Sequence, residues 1–153
     1  MKIYISYLPA EDRLLFSTGH PISWLITRSL LIKLVNAMID KLQKVELPDV
    51  GFSLGGRDIG QEHALSLEFD RPTTTQKKPD TQVKSRMLEE VTLTVDSVSA
   101  NLVLRCKGFE TNLTLTRKES HLVLEMLVNK ARAVNWLSEV MWPNWLGSTQ
   151  NNE

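Results

Sequence analysis

The sequence predicts an α+β domain, one antiparallel sheet of about six or seven strands with two long helices packed on it. Three features carry that expectation. Apolar residues alternate at period two in several short segments, they change to helical spacing in two long ones, and the strands come in runs ahead of each helix.

The first run begins at the N-terminus. Ile3, Ile5 and Tyr7 alternate with Tyr4 and Ser6, the pattern of a half-buried strand, and Leu14 with Phe16 marks a second. Ser17-Thr18-Gly19-His20-Pro21 supplies turn chemistry before a third strand with Ile22, Trp24 and Ile26 on one face. The period then changes. Leu30, Leu31, Leu34, Val35, Met38, Ile39 and Leu42 predict an amphipathic helix over residues 28–44, with Thr27 as its N-cap.

Beyond Lys44, Gly51, Gly55, Gly56 and Gly60 mark a loop, and residues 63–69 alternate as a strand with Leu65, Leu67 and Phe69 inward. Residues 70–86 are polar, proline-broken and without period, which predicts a mobile excursion. Val91, Leu93 and Val95, then Leu102, Leu104 and Cys106, then Leu113 and Leu115 predict three antiparallel strands, with turns at 99–101 and 107–109. Thr116-Arg117-Lys118-Glu119 is a capping box, so a helix is expected from 117 to about 141. Ile22 to Arg28 and Thr111 to Arg117 are both strands ending in Thr-Arg at a helix start, so the chain reads as two related strand–strand–helix halves or as a chance likeness. Residues 1–146 then form a single domain, and 147–153 a disordered tail.

Composition excludes more than it selects. Eighteen Lys and Arg balance eighteen Asp and Glu, and neither half of the chain is charged, so the field that drives non-specific nucleic-acid binding is missing. A single cysteine, Cys106, permits no intrachain disulfide and no multi-cysteine zinc site. With no signal-peptide h-region in the opening residues and no apolar stretch long enough to span a bilayer, a soluble, cytoplasmic protein without a membrane partner is expected.

No segment carries a catalytic signature. The glycine segment follows a helix and precedes a strand, the reverse of a phosphate-binding loop. His20, His63 and His121 have no metal-ligand spacing and are expected at the surface or rim, Cys106 reads as a small buried hydrophobe, and no serine has an elbow sequence. No catalytic residue, metal or cofactor is accordingly expected, though an enzyme with dispersed residues stays open.

The second helix carries most of the functional reading. Its apolar residues leave only a narrow polar stripe at His121, Glu125, Asn129, Arg132 and Glu139, more greasy face than one side of a small sheet covers. Three of the four tryptophans, Trp136, Trp142 and Trp145, lie at its end and just beyond. The expectation is a non-catalytic assembly module, a homodimer or a partner-bound chain. It would associate through Leu124, Val128, Arg132, Trp136, Trp142, Trp145 and Leu146. The alternatives are a central helix covered by the first helix and the sheet, and a Trp segment latched onto its own domain.

A rival reading is a nucleic-acid or anionic-ligand binder. It uses Lys77, Lys78, Lys84 and Arg86 of the basic excursion 71–86, with Arg28 and Arg117 at the two helix starts. Both arginines face the positive end of a helix dipole, and the plainer answer is a salt bridge, a backbone contact with a neighbouring loop, or extension into solvent.

Overall fold

The computed structural model describes residues 3–45, 59–69, 84–136, 142, 143, 145 and 146. The expected glycine loop at 51–56, most of the excursion 70–86, the helix end at 137–141 and the tail 147–153 lie outside the described residues.

The chain opens with strands β1 (Tyr4–Leu8), β2 (Arg13–Ser17) and β3 (Ile22–Ile26), an antiparallel meander, followed by helix α1 (Arg28–Lys44). Helix α2 (Ile59–Phe69) and strand β4 (Lys84–Met87) come next, then a second meander, β5 (Glu90–Val95), β6 (Ser99–Cys106) and β7 (Phe109–Thr116), and helix α3 (Arg117–Ala133). One plan is used twice: three antiparallel strands, a threonine cap, and a helix that begins with arginine. Among the described residues no helix is long and apolar enough to cross a membrane.

The class is α+β, but the strands form two sheets, not one. The first has the order β1-β2-β3-β4 and the second β5-β6-β7. The chain leaves one for the other between Leu88, whose N–H donates to the Leu25 carbonyl, and Glu89, whose N–H donates to the Arg105 carbonyl. The end of the expected excursion is therefore a strand. Residues 84–87 pair in parallel with β3, a partner 62 positions upstream in the register Ile22 to Lys84, and such pairing leaves no local trace in sequence.

Residues 63–69 are the plainest correction, because they are helical. The alternation of Leu65, Leu67 and Phe69 suggests a strand, yet Leu65 is 41% exposed, and the buried positions among the described side chains are Glu62, His63, Ser66 and Leu67. Those four have helical spacing. Since three of them are polar, an apolar pattern search misses the face. Gly60, expected in a loop, lies in the first turn of α2.

Helix α3 is central. It packs on α1 and α2 and on strands of both sheets, β1, β6 and β7. It stops at Ala133, short of the expected 141. Asn135 takes a left-handed φ of 60°, while the Trp136 N–H donates to the Ala131 carbonyl and the Asn135 N–H to that of Arg132. That is a Schellman stop with asparagine in the place glycine usually fills, so the signal was easy to overlook. Smaller corrections concern the turns: β6 already begins at Ser99, so the bend lies at 97–98, and β7 begins at Phe109, after Gly108 with φ of 80°.

Candidate functional site

Five charged or ionisable side chains meet in the interior between α2 and α3. Glu62 and His63 come from α2, and Arg117, His121 and Glu125 from α3; all five are buried. Helix spacing explains the convergence, because His121 and Glu125 are four residues apart and share one face, and Arg117 lies one turn earlier on it.

Arg117 grips Glu62 in a bidentate pair, Nε to Oε2 at 2.9 Å and Nη2 to Oε1 at 2.8 Å. Its remaining donors go to backbone carbonyls at the end of α1, Leu42 and Val45, and to that of Asp96 in the β5–β6 turn. His121 Nε2 lies 2.9 Å from Glu62 Oε2, close enough for an ion pair yet without the alignment of a hydrogen bond. His121 Nδ1 and His63 Nδ1 are hydrogen-bonded at 2.9 Å, and His63 Nε2 meets Glu125 Oε1 at 2.7 Å. The Trp145 ring closes over His63 with centroids 4.8 Å apart.

Electrostatics follows the contacts. Burial pushes the Glu62 carboxyl up, but the His121 ring and the Arg117 guanidinium outweigh it and hold the group at about 2. Burial lowers His121, and the neighbouring Glu62 carboxylate only partly offsets that. The expectation that the histidines lie at the surface holds for exposed His20 and fails for His63 and His121. Among the described residues, no group of three or more His, Cys, Asp or Glu side chains is arranged to hold a metal ion.

The residues expected at a partner surface differ in their exposure. Leu124, Val128, Trp136 and Leu146 are buried in the chain's own core. Trp136 Nε1 donates to Asp12 Oδ1 at 3.1 Å, and its ring stands edge-on to Tyr7. Trp142 and Trp145 are half-buried, and Trp142 Nε1 donates to Asn36 Oδ1 at 2.7 Å, so the Trp segment contacts α1 and α2 of its own subunit. Arg132 is half-buried. The greasy area of α3 is covered from several sides at once, which a count of apolar residues on one helix does not reveal.

The basic residues divide. Arg117 is consumed by the interior network, as the ion-pair answer to the helix-dipole problem required, while exposed Arg28 lies over the Trp136 ring at 5.8 Å. Lys84 and Arg86 are exposed on β4, with the Arg86 guanidinium 4.8 Å above Phe109. Lys77 and Lys78 fall outside the described residues. Cys106 is half-buried, not buried.

Compared with protein-family models, curated proteins and solved structures, the chain matches none.

Proposed function

We propose that the chain is a non-catalytic binding module that takes an extended segment of a partner protein by strand addition along β4. The carrying observation is the edge itself. All four β4 residues are exposed, Met87 at 39%, and among the described residues β4 pairs on one side only. Because the Leu88 N–H points to β3 and backbone direction alternates along a strand, Ser85 and Met87 aim their N–H and C=O groups outward. An unpaired edge of this kind is a template for another strand.

The flanking side chains suggest the partner's chemistry. Lys84 and Arg86 share one face of β4, and Ser85 and Met87 the other, so an incoming strand that alternates acidic with apolar residues complements both. A second copy of β4 is the poorer occupant, since it brings two more cations to the same ribbon. Association through α3, expected from its apolar width, would require the core to open, and the edge of β4 takes its place in this reading. The repeated meander-and-helix plan supports two related halves.

The test is a titration with a peptide of alternating glutamate and valine, followed by amide chemical shifts. Shifts centred on Ser85 and Met87, and their loss in Ser85→Pro, are expected; proline removes an outward donor at an edge position that tolerates it. Shifts elsewhere, or none, defeat the reading. A short oligonucleotide that binds Lys84 and Arg86 with steep salt dependence, where the peptide does not, would favour the anionic-ligand alternative.

A further inference from the structure

We propose that the His63–His121 pair makes α2 an acid-released element, which undocks from α3 when both rings are protonated while the rest of the fold stays closed. The geometry sets the limit. A hydrogen bond between two Nδ1 atoms at 2.9 Å needs a proton on one ring and a bare lone pair on the other. His63 Nε2 lies on the Glu125 carboxylate and donates to it, so in the neutral ring His63 Nδ1 is the acceptor and His121 Nδ1 the donor. One added proton has a place, at His121 Nε2 beside Glu62. A second has none. It must land on His63 Nδ1, where it removes the lone pair that accepts from His121 across the two helices and sets two cationic rings against each other, Nδ1 to Nδ1 at 2.9 Å.

Every group among the described residues that faces the pair bears on the outcome. From α3 come Arg117 and Glu125, and from α2 Glu62. The end of α1 offers only carbonyls, to Arg117, and the β5–β6 turn offers the Asp96 carbonyl, with its carboxylate turned to Val98 and Ser99. Trp145 covers His63 with an apolar ring. The Arg117 charge is already matched by Glu62, so among the described residues a doubly charged pair has Glu125 as its remaining carboxylate. Helix α2 is the element to move because, among its described side chains, the buried face is mostly polar, Glu62, His63 and Ser66 beside Leu67, whereas α1 buries six apolar side chains.

Hydrogen exchange of the full chain from pH 7.5 to pH 5, corrected for intrinsic rates, tests the proposal. Protection over 59–69 should fall at least tenfold while that over 28–44 is unchanged, and His121→Asn, which cannot take up a proton, should flatten the fall. Equal loss in both helices, no loss in 59–69, or an unchanged fall in the variant overturns it. If the variant does not fold, the wild-type histidine ring signals decide. Two buried rings must titrate over the pH range in which 59–69 loses protection, and rings that titrate outside it refute the mechanism.

Discussion

At the residue scale, Glu62 matters most, because one carboxylate answers a buried guanidinium and faces a buried imidazole. Glu62→Gln leaves Arg117 charged, buried and without its counterion, and an uncompensated buried charge typically costs about 3–5 kcal/mol. Urea unfolding should show a loss of that size with little change in the slope; a loss below about 1 kcal/mol would mean that water reaches the site. None of this was legible from the motifs. Glu62 and Arg117 lie 55 positions apart, His63 and His121 58, and His63 and Glu125 62. One signal was present. The polar stripe of α3 at His121 and Glu125 is the face that α2 covers, and the adjacent Glu62-His63 pair carries the complementary chemistry.

At the element scale, the two Thr-Arg helix starts were legible and the structure fills in their different strengths. Thr116 Oγ1 accepts from the Glu119 N–H at 3.0 Å, and Glu119 Oε1 accepts from the Thr116 N–H at 3.0 Å, a closed reciprocal cap. Thr27 accepts from the Leu30 N–H at 3.2 Å, and leucine has nothing to return. Thr116→Ala should therefore destabilise by about 1–2 kcal/mol and Thr27→Ala by less, within the usual range for caps. Thermal or urea unfolding of the two variants side by side checks the order, and a reversed order would mean that the reciprocal glutamate contributes nothing. Helix α2 was misread for a different reason: its fold is decided by polar partners on α3, and local apolar period is silent about those.

At the scale of the whole molecule, the interior ionic groups make stability depend on pH in one direction. Glu62, held at about 2 against an ordinary 4.5, contributes stability that is complete above pH 4.5 and is lost as pH falls through about 2. His121, held below its ordinary 6.5, adds destabilisation as pH falls below 6.5, because the unfolded chain takes up the proton more readily. Both slopes have the same sign, so denaturant unfolding should give a free energy that falls steadily from pH 6.5 toward pH 3. A rise over that range would contradict the buried geometry of the network. The enclosure of α3 belongs to this scale too. Eight apolar residues on α3 look excessive for one side of a small sheet, and become ordinary once the helix has two other helices and two sheets around it.

What the sequence determined by itself was the local grammar: the α+β class, the two strand meanders, α1, and the start of α3 with its capping box. Those follow from side-chain period and from hydrogen bonds that close within a few residues. Tertiary structure alone decided that the strands divide into two sheets at Leu88 and Glu89, that residues 84–87 join β3, that 59–69 is helical, and that five ionisable groups share one buried site. Each of those depends on a partner tens of residues away, and a backbone or a carboxylate chooses such a partner by proximity in the folded chain, where spacing along the sequence has no say.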